Sequence, residues 1–260
     1  MLGSVTIVGL GPGSKDLISP EVSKVIEEAT DVVGYYKYTN RIAKRKNLKI
    51  HSSDNTYEIS RAERAIDLAL EGKNVVIISS GDPGIFAMSS AFFEFIEKTN
   101  KNIDDIEINV LPGISSMLAA SSKAGAPLGH DFCVINLSDN LKPWKIIKER
   151  IILAIKADFV VVFFNPRSKT RPDTFKKALK IFKKYSSVDK FVLFAKSLYK
   201  KNEDLTVVRL STACHTMANM NTLVIIGSNL SRVIKKNKTF FYTPRSYSLK
   251  FSQSKTDSKV

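Results

Sequence analysis

His130 and Asp131 are adjacent and stand directly before the apolar run Phe132 to Leu137. An imidazole beside a carboxylate can move a proton near neutral pH, so the pair reads as an acid/base couple. The competing reading is a turn in which the histidine is satisfied by its neighbour. Asn165-Pro166-Arg167-Ser168 ends the most apolar strand of the second half, Asp158 to Phe164. An Asn-Pro turn stops a strand by itself, and Arg167 can also fork onto a ligand carboxylate. Ser80-Gly81-Asp82-Pro83 closes another apolar run. Asp82 there can accept a hydrogen bond from an amine or a ribose hydroxyl, although Asp-Pro turns are common. Pro112-Gly113 breaks the run Ile106 to Leu111. Small residues then open a helix, with Ser115 as its cap and little side-chain bulk between the helix start and a ligand.

Gly9-Leu10-Gly11-Pro12-Gly13 follows the first apolar run, Val5 to Leu10. A dinucleotide fingerprint needs a third glycine where Ser14 stands, and an acid at the end of the second strand, whereas Asp31 precedes it. A phosphate-binding P-loop needs Gly-Lys-Ser/Thr, and Ser14-Lys15-Asp16 does not supply it. What remains is a tight strand–helix turn, or a backbone surface that a ligand can approach closely. Cys214-His215 lacks the four suitably spaced ligands of a metal site, so no metal is expected. His51 and His215 have no motif around them and read as structural or exposed.

The elements that must position these residues alternate along the chain. Ser19-Pro20 supplies a cap and a first helical residue for a helix to about Ala29, and Asp31 to Gly34 is a short strand. Ser60 and Glu63 have capping-box spacing and predict a helix that Gly72 ends. Val75 to Ser79 is a strand, Met88 to Glu97 a helix, Ile106 to Leu111 a strand, and the small-residue helix follows. In the second half Pro143 as first helical residue predicts a helix to Lys156, and a basic helix spans about Pro172 to Tyr185. Phe191 to Ala195, Leu205 to Leu210 and Leu223 to Ile226, with short polar connections, suggest antiparallel pairing in a mixed sheet. Thr239 to Tyr242 is a candidate edge strand. This pattern predicts two α/β domains, 1–127 with a largely parallel sheet and 128–245 with a mixed one, and a disordered tail over 246–260.

Composition narrows the class. The chain has 260 residues, 43% of them hydrophobic, which supports a sizeable core. Its two cysteines give no disulfide framework and fit a reducing cytoplasm. Met1 to Gly13 lacks the basic start of a signal peptide, and no apolar run approaches the roughly 20 residues of a membrane span. The net charge of +15 raises nucleic acid, a membrane surface or an acidic small molecule as partners. Lysines are scattered, and no array of interleaved aromatic and arginine residues marks a nucleic-acid face, so neither nucleic acid nor membrane is the expected partner.

Four blocks, VGLGPG at 8–13, SGDPGIF at 80–86, LPGISSMLAA through LSD at 111–139, and FNPRS at 164–168, resemble the tetrapyrrole methylase family. They are closest to its cobalamin-pathway members that methylate precorrin-3B at C-17. The resemblance runs from Val5 to about Ser228. It implies two α/β domains with the active site in the cleft between them, S-adenosylmethionine as cofactor, and a tetrapyrrole polycarboxylate as substrate. It further implies cofactor contacts at Pro12, Gly81, Asp82, Ile85, Ser115, Ser116, Asn165, Leu198 and Thr222, and substrate contacts at Gly11 and Arg167. Contraction of the macrocycle accompanies the methyl transfer in that family, and its proton movements single out His130 and Asp131. A homodimer is expected. One departure bears on Leu198: the family carries a glycine-containing turn where this chain has Lys196-Ser197-Leu198-Tyr199-Lys200. The alternatives are another precorrin methyltransferase of the same family and, more remotely, a basic nucleic-acid-binding protein.

Overall fold

The computed structural model describes residues 3–247, which divide into two compact units: 3–119 with 197–203, and 120–196 with 204–247. The division falls within one helix. It differs from the 127/128 division drawn from sequence because the residues just after that helix are hydrogen-bonded into a sheet of the second unit.

The first unit runs β1 (Ser4–Gly9), α1 (Pro20–Glu28), β2 (Asp31–Tyr35), α2 (Tyr36–Thr39), β3 (Lys49–Ser53), α3 (Glu58–Leu70), β4 (Asn74–Ser79), α4 (Met88–Lys98) and β5 (Glu107–Leu111), and ends in the first half of α5 (Ser116–Ala124). Its sheet has the order β3-β2-β4-β1-β5, and every pairing is parallel. Val5, Ile7, Val75 and Ile77 pack on Ala62, Ala65, Ile66, Ala69 and Phe92 of α3 and α4. Val8, Leu10, Val76 and Ile78 face the opposite way and meet Val22 of α1. Burial on both faces is why these strands read as near-continuous apolar runs rather than as alternating ones. The parallel arrangement brings the carboxyl ends of β1, β4 and β5 to one edge, where open α/β sheets hold their ligands.

The second unit continues from α5 with β6 (Gly125–Ala126), β7 (Phe132–Asn136), α6 (Trp144–Lys156), β8 (Val160–Phe164), α7 (Thr174–Tyr185), β9 (Phe191–Lys196), β10 (Asp204–Arg209), β11 (Thr222–Ile226), β12 (Arg232–Lys235) and β13 (Thr239–Tyr242). Its main sheet, β10-β9-β11-β8-β7, is antiparallel except between β7 and β8. The apolar faces of α6 and α7 cover it through Ile147, Ile151, Phe175 and Phe182, which meet Phe163, Phe194 and Val224.

Several local expectations are corrected. The Ser60–Glu63 capping box does not form: α3 starts at Glu58 with Tyr57 before it and no side-chain cap. Arg61 instead reaches back, buried, and donates to the carbonyls of Asp54 (3.0 Å) and Asn55 (3.2 Å), while Glu63 pairs with Lys101. Pro143 stands just outside α6, with extended ψ, rather than as its first helical residue. Thr239–Tyr242 is not an edge of the main sheet but the middle strand of a separate three-stranded sheet, β12-β13-β6. Ser19 does cap α1, accepting from the Val22 N–H at 3.2 Å. His51 is structural, with its Nε2 2.7 Å from the buried Asp31 carboxylate. Of the expected tail only Ser246 and Tyr247 lie within the described residues.

Lys190, 3% exposed, is paired with Asp158, whose two carboxylate oxygens also accept from the Asn229 N–H at 3.0 and 3.1 Å. Asp158→Ala leaves that ammonium buried and unpaired, which costs about 3 kcal/mol. Urea unfolding should show this loss, and Asp158→Ala combined with Lys190→Met should recover most of it. A single-variant loss below about 1 kcal/mol, the level of an exposed pair, would contradict the assignment.

Candidate active site

In the first unit the loops after β1, β4 and β5 meet backbone to backbone. Gly11 and Gly81 exchange both of their hydrogen bonds, at 3.2 and 3.0 Å, and both adopt φ +64°. A Cβ on Gly113 would lie 2.1 Å from the Gly81 carbonyl oxygen, and one on Gly9 would lie 2.3 Å from the same atom. No side chain fits at those points, which explains the glycines on both sides of the contact.

Asp82 locks this junction. Its Oδ2 accepts from the Gly113 N–H at 3.0 Å and its Oδ1 from the Gly84 N–H at 2.9 Å. Both carboxylate oxygens therefore hold loop backbone. Ser115 is buried and caps α5, its Oγ accepting from the Met117 N–H at 3.4 Å. Gly81 packs on it: a Cβ there would be 3.7 Å from the Ser115 Cα. Pro12 is buried, Ile85 and Ser116 are half-buried, and Phe86 beside Ile85 is exposed with φ 51°.

Leu198 joins the same group. The carbonyl oxygens of Leu198 and Tyr199 lie where a Cβ on Gly13 would come within 2.7 and 2.8 Å of them. The absent glycine of this turn is resolved in the backbone: Ser197 (φ 50°) and Tyr199 (φ 55°) adopt the left-handed conformation themselves. That conformation costs roughly 1–2 kcal/mol per non-glycine residue. The Glu203 carboxylate accepts from the Tyr199 N–H and helps to hold it. Strain of this kind, repeated at Phe86 and Asn165, concentrates in the loops that the sequence singled out.

In the second unit Asn165 (φ 51°) ends β8 and donates from Nδ2 to Asn136 Oδ1 at 3.1 Å, across the parallel β7–β8 pair. Pro166 presents its carbonyl to the Thr174 hydroxyl at 2.9 Å, and Arg171 Nη1 donates to the Asn165 carbonyl at 3.4 Å. Arg167 is half-buried and its Nε is buried without a hydrogen-bond partner, as are those of Arg61 and Arg171. Thr222 is buried, and its hydroxyl is shared with Asn219, accepting from N–H at 3.0 Å and donating to Oδ1 at 3.1 Å.

His130 Nδ1 accepts from the Asp131 N–H at 2.7 Å, which places the neutral ring's proton on Nε2. The Asp131 carboxylate is 3.6 Å from Nδ1 and mostly in solvent, and the Tyr247 ring meets the imidazole edge-on at 4.9 Å. Among the described residues no group of three or more His, Cys, Asp or Glu could hold a metal ion. Burial pushes the Cys133 thiol up to about 11, whereas the exposed Cys214 is lowered, first by the Thr216 hydroxyl.

Two residues escape the sequence reading. Asn136 has no motif of its own and is visible only through its pairing with Asn165. Arg41 donates from Nη2 to the carbonyls of Leu10 (2.9 Å) and Gly13 (3.2 Å) and so clamps both ends of the glycine-rich loop. No local pattern joins residues so far apart in sequence.

A parallel sheet whose strand-end loops are packed glycine on glycine and carry left-handed residues and a buried serine cap has the architecture of α/β proteins that take small ligands at strand ends. Residues 4–214 match the family model of the tetrapyrrole (corrin/porphyrin) methylases, and the chain belongs to that family. It is 39% identical to a precorrin-3B C(17)-methyltransferase of Sinorhizobium, over 95% of this chain and 98% of that protein. It is 36% identical to a probable cobalt-factor III C(17)-methyltransferase of Salmonella typhimurium, over 94% of this chain and all of that one. A cobalt-factor III methyltransferase of Priestia megaterium is 38% identical over 99% of this chain, which spans 47% of that longer protein. Among solved structures, the methyltransferase CobJ superposes with a TM-score of 0.89 at 47% identity, covering 93% of this chain and 100% of that one.

Replacing Asp82 by Ala frees two backbone amides and removes two hydrogen bonds to a charged group, each worth about 1.5–3 kcal/mol. Amide hydrogen exchange at Gly84 and Gly113 should accelerate, and ligand affinity should fall with it. Unchanged protection at Gly113 would mean that the carboxylate does not hold the junction.

Proposed function

We propose that this protein transfers a methyl group from S-adenosylmethionine to C-17 of a precorrin-3B-type macrocycle, cobalt-free or cobalt-containing, with contraction of the ring, in cobalamin biosynthesis in the cytoplasm. The observation that carries the reading is the glycine junction of Gly9, Gly11, Gly81 and Gly113. It packs the ends of three neighbouring strands backbone to backbone and so fixes the loops that follow them, in a chain matched over 95% and 94% of its length by C-17 methyltransferases.

The residues present fit the cofactor. The Ser115–Ser116 turn and the loop backbone offer hydrogen-bonding groups suited to its amino-acid and ribose ends, and Ile85 with the exposed Phe86 offers apolar surface suited to adenine. When bound, the cofactor supplies an electrophilic methyl whose carbon–sulfur bond breaks with the electron pair going to sulfur. The protein's own task is orientation, since alignment of reacting atoms alone is worth about 7–11 kcal/mol of barrier in well-placed systems. Asp82 and Arg41 fix the first-unit loops. Arg167, with its unpartnered Nε, is assigned to a substrate carboxylate. His130 holds a proton on Nε2 for the ring-contraction steps, and the Asp131 amide fixes that tautomer. The reading treats the protein as a homodimer.

The direct test is incubation of the purified protein with S-adenosylmethionine and precorrin-3B or its cobalt-containing counterpart, read by mass spectrometry for a product heavier by one methyl group. Calorimetry should show that S-adenosylhomocysteine binds. A folded sample that neither binds the homocysteine nor methylates either macrocycle would remove the methyltransferase reading.

His130→Ala should leave S-adenosylhomocysteine affinity within about twofold while formation of the contracted ring slows by about 10²–10⁴, the usual share of general acid–base catalysis. A variant with normal turnover and only a lower melting temperature would show that the imidazole is a turn lock and nothing more.

A further inference from the structure

Three cations gather beside the glycine-rich loop of the first unit. Arg41 is anchored to it by Nη2 on the Leu10 and Gly13 carbonyls, at 2.9 and 3.2 Å. Lys37 lies one helical turn before Arg41, with its Nζ 5.7 and 5.9 Å from the ring centres of Tyr35 and Tyr36. Lys200 follows directly on Leu198 and Tyr199, whose carbonyls abut Gly13. Among the described residues none of the three forms an ion pair, and the charges that act on Lys200 are Arg41 and Lys37. Partial desolvation first, and the repulsion of those two cations second, lowers the Lys200 ammonium, and desolvation likewise lowers Arg41. Lys37, by contrast, is raised, first by a side-chain hydrogen bond to Tyr35. A grouping of like charges in which no member has an ion pair favours an anion from outside.

We propose that Lys37, Arg41 and Lys200 form an anion subsite that takes one peripheral carboxylate of the macrocyclic substrate. The proposal rests on the tetrapyrrole reading above. Both the substrate and the amino-acid end of the cofactor carry carboxylates, and the site favours the substrate's. The cofactor's carboxylate comes with an ammonium on the neighbouring carbon and a sulfonium beyond it, and three cations repel both. An acetate or propionate arm is an isolated anion. Tyr35, Tyr36 and Tyr38, packed edge to face at 4.7 and 5.2 Å, add aromatic surface beside the cations, with Tyr36 exposed, against which a flat macrocycle edge can lie.

The test uses the whole protein with uroporphyrin III, an octacarboxylate macrocycle, as the substrate probe and S-adenosylhomocysteine as the cofactor probe. Lys37→Gln with Lys200→Gln leaves the Arg41 clamp intact. The pair should weaken porphyrin binding at least tenfold and flatten its salt dependence, while affinity for the homocysteine stays within twofold of wild type. Lys37→Arg with Lys200→Arg should restore porphyrin binding. Porphyrin affinity within twofold of wild type in the glutamine pair would overturn the subsite while leaving the enzyme's function standing. A loss confined to the homocysteine, or equal for both probes, would also overturn it, by assigning the cluster to the cofactor or to the fold. A wild-type protein that binds neither probe would sink the tetrapyrrole reading itself, and the subsite with it.

Discussion

The loops of the first unit depend on one steric constraint: the Gly81 carbonyl oxygen occupies the space where Gly9 and Gly113 would carry their Cβ atoms. Three parallel strands can end at the same point only because nothing projects there. The two hydrogen bonds between Gly11 and Gly81 and the Asp82 bond to Gly113 then convert close approach into a fixed geometry. The helix that starts at Ser116, the buried Ser115 cap and the Leu198 turn against Gly13 all take their position from this junction.

The second unit solves a similar problem without glycine. Asn165 adopts a left-handed conformation at the end of β8, and its side chain is held by Asn136 at the end of the neighbouring strand. Thr174 and Arg171 fasten the next turn from behind. The strain is local and the restraints on Asn165 and Pro166 come from the neighbouring strand, Arg171 and α7. Asp158, also left-handed, holds the buried Lys190 and the Asn229 amide together.

Much of this was legible in the sequence, for physical reasons that differ by element. The strands buried on both faces, Ser4–Gly9, Asn74–Ser79 and Val160–Phe164, are near-continuous apolar runs that end in turn residues, so both their existence and their ends are visible. The candidate loops follow because ligands gather where such strands stop. The errors arise where a distant residue decides. Arg61 replaces the capping box that Ser60 and Glu63 suggest, by bonding carbonyls ahead of α3. Thr239–Tyr242 pairs with Gly125–Ala126, far back in the chain, and so leaves the main sheet. The turn at Ser197 and Tyr199 looks unfit without glycine, yet neighbouring bonds impose the required backbone. Arg41 and Asn136 act across long sequence separations, and no local spacing announces them.

The central claim is that the glycine junction positions the loops proposed to hold the cofactor. It is tested most directly by titrating S-adenosylhomocysteine into Gly113→Ala by calorimetry, normalised to the folded fraction. A methyl group there must displace the Gly81 carbonyl, because its carbon would start 2.1 Å from that oxygen. The account predicts at least a tenfold loss of affinity with the second unit still folded. Wild-type affinity in a folded Gly113→Ala protein would contradict it.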